Sequence, residues 1–378
     1  MKITEVGCLV CQAGSRNWTF VKVSTDEGVS GVGEATLFGY EQPVIAAVER
    51  FAHELVGEDP LRIEHHWQRL WRHTFWRGGP VFSSAISGIE QALWDILGKV
   101  CGQPVYQLLG GACRDSIRLY GGIGGGTPEQ VVQRAQRLAG RGITAAKLSC
   151  FPATGTVDSI RPVMEAVEQV KAVREAMEPE FDIMVECHGR LSPTMAILAE
   201  KELRPYYPLF MEEPARCENL ASMRKLAEHA KIPIAAGERL YTRWGIRELI
   251  ENEWVSVVQP DVCHCGGIAE LRRIASLAET HYIACAPHNP YGPVATVASL
   301  HLDACIPNFL IQEWIVSDVN WRDDIIASGH VEMQNGSAKL PDGPGLGIEL
   351  DEAEIAKHPF EMGGQRAWFL ADGSVTDT

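Results

Sequence analysis

The sequence predicts an α/β fold in which a closed parallel barrel carries a second, α+β domain. Three observations lead there. From about Ile117 onward, eight short apolar runs alternate with helical stretches of 10 to 18 residues, the pattern of a parallel barrel with helices outside. Residues 1–115 are ordered differently, with strands first and helices after them. Six consecutive runs of the barrel region also close on an ionisable residue at nearly constant spacing.

In the first region, Ile3 to Cys11, Thr19 to Ser24 and Gly31 to Ala35 read as strands, with Asp26-Glu27-Gly28 as a hairpin turn. Val44 to Leu55 and Ser84 to Val100 have helical periodicity. The barrel region, 116–325, contains the runs IRLYGGI, ITAAKLS, FDIMVE, PLFMEE, IPIAAGE, VSVVQPD, YIACAPH and NFLIQEW. Thr127-Pro128-Glu129, Ser192-Pro193 and Thr242 supply helix-start chemistry between them. Gly121 to Gly126 lies where an open sheet would hold a dinucleotide. No acidic residue ends the next strand about 20 residues on, so the run reads as a tight loop and no nucleotide cofactor is expected. The last segment, 326–378, passes through Leu340-Pro341-Asp342-Gly343-Pro344-Gly345-Leu346-Gly347 and is expected to pack back on the first domain.

Composition narrows the function. The 378 residues carry 34 basic and 49 acidic side chains, a formal charge of −15, which disfavours a nucleic-acid partner because that affinity rests on Lys and Arg. No apolar stretch approaches membrane-spanning length. Eleven scattered cysteines, including the lone Cys8-Leu-Val-Cys11 pair, read as thiols of a reduced, cytoplasmic protein. A homo-oligomer acting on a small molecule is expected.

The active site of a parallel barrel lies at the C-terminal ends of its strands. The residues there are Glu186, Glu212, Glu238, Asp261, His288 and Glu313, separated by 26, 26, 23, 27 and 25 residues. One such residue would be an ordinary loop charge; six in register have no packing explanation. Carboxylates on three adjacent strands repel unless a cation lies between them, and all-oxygen ligands suit Mg²⁺. His188 follows Glu186 by two residues, which strand periodicity puts on the same inward face. Asp261 on the strand before His288 can orient that imidazole as a general base.

Several motifs carry a resemblance. Val185-Glu186-Cys187-His188-Gly189-Arg190, Met211-Glu212-Glu213-Pro214, Ala236-Gly237-Glu238-Arg239, Gln259-Pro260-Asp261, Cys265-Gly266-Gly267-Ile268 and Ala286-Pro287-His288 resemble the enolase superfamily, mandelate racemase subgroup. Phe75-Trp76-Arg77-Gly78-Gly79-Pro80, Gly88 to Asp95 and Pro344-Gly345-Leu346-Gly347 extend the likeness along nearly the whole chain, toward the acid-sugar dehydratases of the galactonate dehydratase type. The resemblance implies a modified TIM barrel, (β/α)7β, capped by the N-terminal region together with the C-terminal segment. It implies Glu186, Glu212 and Glu238 as Mg²⁺ ligands, His288 with Asp261 as base, His188 as general acid, and Glu313 as a carboxylate supporting the substrate. Glu213 is expected to point out of the barrel. The family usually has Asp where Glu186 stands. Ser149 replaces the second lysine of a racemase Lys-x-Lys, leaving Lys147.

The implied reaction removes the C2 proton of a sugar acid and eliminates its 3-hydroxyl, giving a 2-keto-3-deoxy acid. Epimerisation or cycloisomerisation by the same histidines, silent sugar-acid binding, and a Lys147 Schiff-base aldolase are the alternatives. Specificity is expected from Phe38 to Gln42, Trp76 to Pro80 and Phe151 to Val157.

Overall fold

The structure is a computed structural model describing residues 1–73, 75–315, 319–363 and 367–377. It begins with an antiparallel sheet of β1 (Ile3–Ala13), β2 (Arg16–Thr25) and β3 (Ser30–Glu34). Gly14 at φ 68° lies in the two-residue turn between β1 and β2, and Gly28 at φ 80° in the four-residue loop between β2 and β3. Both turns need the left-handed backbone that glycine adopts without Cβ strain. Helices α1 (Glu41–Leu55), α2 (Ile63–Arg72) and α3 (Pro80–Cys101) follow, then the single turn α4 (Val105–Leu108). The sequence reading found α1 and α3 but not α2. Pro80 opens α3 and left-handed Gly102 ends it, its N–H returning to Gly98 and Lys99 carbonyls. Val21, Val23, Phe51, Ile86, Ile89 and Leu93 are among the side chains that fill the core between sheet and helices.

Eight parallel strands then occur where the eight apolar runs predict them. They are β4 (Ser116–Gly122), β5 (Ala145–Ser149), β6 (Asp182–Glu186), β7 (Phe210–Glu212), β8 (Ile234–Ala236), β9 (Val257–Val258), β10 (Ala284–Cys285) and β11 (Gln312–Trp314). Between them run α5 (Pro128–Ala139), α6 (Arg161–Ala176), α7 (Pro193–Leu203), α8 (Ala221–Ala227), α9 (Thr242–Glu251), α10 (Ile268–Glu279) and α11 (Pro293–Cys305). Thr127 forms a capping box with Gln130, and Ser192 accepts the Met195 N–H. Pairing runs from β4 to β10 in chain order; Cys285 bridges to Phe309, and β11 returns to β4, closing the ring. Tyr120, Ala145, Met184, Phe210, Ala235, Val257, Ala286 and Ile311, one from each run, plug the interior. The barrel is therefore a filled core with a floor beneath its mouth, not a pore.

The remaining elements are β12 (Ile326–Ser328), β13 (Met333–Gln334), β14 (Ser337–Lys339), β15 (Glu349–Leu350), α12 (Glu352–Ile355), β16 (Trp368–Phe369) and β17 (Val375–Thr376). They reach both domains. β14 pairs antiparallel with β4, while Leu346 N–H donates to Asp95 of α3 and Glu352 pairs with Lys22 of β2. The final hairpin lies on the barrel instead: Trp368 stacks 4.1 Å from the Arg190 guanidinium, Thr376 donates to the Thr154 carbonyl and Asp377 pairs with Arg216.

Two features of the sequence take ordinary structural forms. In the glycine run, the Gly124 carbonyl accepts from Arg134 at 2.7 Å, so the loop is held by its own helix. Cys8 and Cys11 lie along β1, and burial pushes both thiols up to about 12. None of the eleven cysteines is in a disulfide. Among the described residues, no helix is long and apolar enough to cross a membrane.

Candidate active site

The strand ends deliver their ionisable side chains to one mouth. Register pairs Glu186 with Glu212 directly across β6 and β7, and Glu238 follows β8 by two residues. Carboxylate oxygens of the three lie within 4.8 Å of one another, the one such metal-sized cluster among the described residues. Glu186 and Glu212 are buried, and Glu238 is nearly so. Glu238 Oε2 is a buried oxygen with no hydrogen-bond partner; His288 Nε2 is 3.4 Å away but out of hydrogen-bonding geometry. An acceptor buried without a donor beside two further carboxylates is the arrangement a hard cation would satisfy.

Lys147 supplies the opposing charge within the protein. From β5 its ammonium pairs with Glu212, lies 2.9 Å from Glu313 Oε1 and 3.5 Å from Glu186 Oε2. Burial raises the Glu212 carboxyl to about 8, reinforced by Glu186 and opposed by Lys147. Burial likewise raises Glu186, where Lys147 opposes and Glu238 adds repulsion. Glu313 goes the other way. Burial opposes its ionisation, but Lys147 and His288 with the Asn289 N–H hold it down to about 2.

The histidines have different settings. Asp261 and His288 bridge as parallel neighbours beyond β9 and β10, and His288 Nδ1 is 2.7 Å from Asp261 Oδ2. Asp261 Oδ1 accepts the Cys263 N–H at 2.6 Å, so this carboxylate is fixed at both oxygens. Burial would lower the imidazole, yet Glu238, Asp261 and Glu313 together raise it to about 10. His188 does not owe its position to strand periodicity, since β6 stops at Glu186 and His188 turns at φ 54°. Its N–H donates to Glu186 Oε1 at 2.5 Å, a bond the longer glutamate chain can make. Glu213 also has a left-handed backbone, φ 41°. Its carboxylate is buried, accepts the Gly237 N–H at 2.8 Å and is raised by burial and by Glu238 to about 8. Two such non-glycine residues on adjacent strand ends mark stored backbone strain at the mouth.

Sequence reasoning missed further polar residues around this mouth. Gln259 donates to Glu212 Oε2 at 2.7 Å, and Asn289 N–H to Glu313 Oε2 at 2.9 Å. His264 and Tyr291 lie against the Asp261–His288 pair. The N-terminal domain holds the loops that carry this pair. Glu34 at the end of β3 accepts the Gly292 and Ala295 N–H groups, capping α11 just beyond His288. One face of α3 presents Ser84, Ser87, Glu90 and Gln91 to residues 262–269. Trp67 of α2 donates to the Gly266 carbonyl at 2.8 Å.

Comparison with known proteins identifies the family of the chain. Residues 10–110 match the mandelate racemase / muconate lactonizing enzyme N-terminal domain, and residues 130–354 the enolase C-terminal domain-like family. The chain is 41% identical over 367 residues to a D-galactonate dehydratase of Ralstonia pickettii, covering 95% of this chain and 96% of that one. A D-galactonate dehydratase of Variovorax paradoxus is 40% identical over 368 residues, with the same coverage. A solved enolase from Agrobacterium radiobacter, with bound Na and L-malate, superimposes with a TM-score of 0.93 at 30% identity over 100% of both chains. An enolase superfamily member from Salmonella Typhimurium gives 0.90 at 33% identity, covering 95% and 98%. With both parts matched and the relatives aligned nearly end to end, the chain belongs to the mandelate racemase / muconate lactonizing enzyme family of the enolase superfamily.

Proposed function

We propose that the protein is a Mg²⁺-dependent dehydratase of a sugar acid, with an aldonate of the galactonate kind as substrate. The observation that carries the reading is three clustered glutamates beside an imidazole oriented by a carboxylate. The D-galactonate dehydratases aligned with 95% of the chain point the same way. Glu186, Glu212 and Glu238 would hold the ion. When bound, the ion neutralises a substrate carboxylate and lowers the cost of negative charge developing as the C2 proton leaves.

The chain's own groups supply the proton transfers. His288 takes the C2 proton on Nε2, because Asp261 occupies Nδ1. His288 must be neutral to do so, and the carboxylates that raise it include Glu238, whose charge a bound cation would offset. His188 hands a proton to the departing 3-hydroxyl. Lys147 and Glu313 form a buried ion pair that fixes the charge at the mouth between them.

The test is formation of a 2-keto-3-deoxy acid from a panel of aldonates. Turnover of D-galactonate with Mg²⁺, lost in EDTA and restored by Mg²⁺, is the expected result; full turnover in chelator would refute the metal dependence. His288→Asn should lower kcat by about 10³-fold and abolish exchange of the C2 proton in D₂O. His188→Asn should lose dehydration while keeping exchange. The reverse pattern exchanges the two roles, and epimerisation by the unmodified enzyme would replace dehydration as the outcome.

A further inference from the structure

His264 is a buried titratable group that the mechanism above does not use. It lies three residues beyond Asp261 and is 4% exposed. Both ring nitrogens have partners. Nδ1 is 2.8 Å from the Ser84 hydroxyl on α3, and Nε2 is 3.0 Å from the Tyr291 hydroxyl. Nε2 is also 3.8 Å from Asp261 Oδ2, the oxygen that binds His288. The Tyr291 ring stands edge-on to both imidazoles, its centroid 5.2 Å from that of His264 and 6.1 Å from that of His288.

We propose that His264 is a positioning residue for proton abstraction, which with Ser84 and Tyr291 fixes the Asp261–His288 pair in its reactive orientation. Burial lowers the His264 imidazole, so it carries one proton and must accept at one nitrogen while donating at the other. The Asp261 carboxylate, 3.8 Å from Nε2, can only accept and so favours the tautomer with the ring proton on Nε2. The Ser84 hydroxyl then donates to Nδ1, satisfying the nitrogen that faces away from the dyad. Tyr291, held by its bond to Nε2, forms a wall that limits rotation of His288 about its own side chain. A space-filling histidine would need neither a serine from the other domain nor contact with the base's carboxylate.

The kinetic part rests on the dehydratase reading, so the experiment includes a measurement that needs no substrate. His264→Phe keeps a planar ring and removes both nitrogens. In the Mg²⁺-loaded enzyme, kcat and the rate of C2 exchange should fall together by about 10- to 100-fold, the usual effect of losing an orienting partner, with KM changed less than about twofold. His264→Gln, which can still reach Tyr291, should recover part of the loss. Ser84→Ala should lower kcat alone but add little to His264→Phe, because both remove the same bond. The downfield proton resonance of the His288 Nδ1–H, identified by its absence in His288→Asn, should shift or broaden in His264→Phe. A folded His264→Phe with unchanged kcat and an unmoved resonance would overturn the proposal. If that variant does not fold, Ser84→Ala and Tyr291→Phe each break one bond, and unchanged kcat in both would overturn it equally. A resonance that moves in a protein turning over no sugar acid would uphold the positioning role and reject the dehydratase reading.

Discussion

Lys147 Nζ is within ion-pairing reach of Glu186, Glu212 and Glu313, so one ammonium faces three of the carboxylates at the mouth. It does not balance them, because Glu238 stands beyond its reach and Glu212 and Glu213 are still raised to about 8 by burial. Ordinary glutamates titrate near 4.3. The folded protein thus binds these protons more tightly than the unfolded chain, and the stability they add, full below about pH 4, is lost as pH rises through 8. His288, raised to about 10, adds a loss of the same sign from about pH 6.5 upward, whereas Glu313 at about 2 contributes a constant amount across this range. Metal-free protein should therefore melt lower at pH 8 than at pH 5.5. If the proposed site holds Mg²⁺, excess Mg²⁺ should raise Tm by about 5 °C at pH 8 and by much less at pH 5.5, since a cation would bind the ionised carboxylates. Equal Mg²⁺ shifts at both pH values would contradict this account.

At the scale of elements, α3 meets β3 almost backbone to backbone. A Cβ on Gly33 would lie 2.0 Å from the Gly88 carbonyl oxygen, and one on Gly88 2.7 Å from the Val21 side chain. Gly33→Ala should cost about 3 kcal/mol in urea unfolding, because neither helix nor sheet can retreat without opening the core. A loss below about 1 kcal/mol would mean that α3 shifts freely. The eight barrel strands were legible because each is a short apolar run bounded by turn residues, and the charged residues because each closes its run at or just beyond the C-terminal end of a strand, where the mouth lies. α2 was not read, although Ile63, Trp67, Leu70 and Trp71 recur at helical spacing and the first three face the core. Nor were His264 and Ser84, whose contact joins positions 180 apart through a domain interface that leaves no local pattern. The final hairpin was missed for the same reason: its footing on Arg190 and Thr154 is a tertiary contact of a polar tail.

Across the whole molecule, the N-terminal domain and the barrel share buried polar bonds, among them Glu34 to the start of α11 and Glu90 to the start of α10. Separating the domains would break these bonds and expose both faces to water, at about 0.5–1.5 kcal/mol net for each bond. Calorimetry should accordingly give one unfolding transition; two resolved peaks would show that the domains melt apart. The way the barrel closes also governs when it can form. β4 is its first strand, yet one flank is completed by Gln312–Trp314 and its lower half by Ser337–Lys339. During synthesis the growing sheet therefore leaves the ribosome with an open edge at β4 that no earlier segment can cover. Ring closure must wait until almost the entire chain has emerged, so nascent chains halted before residue 312 are the form of this protein most exposed to aggregation and most in need of a chaperone.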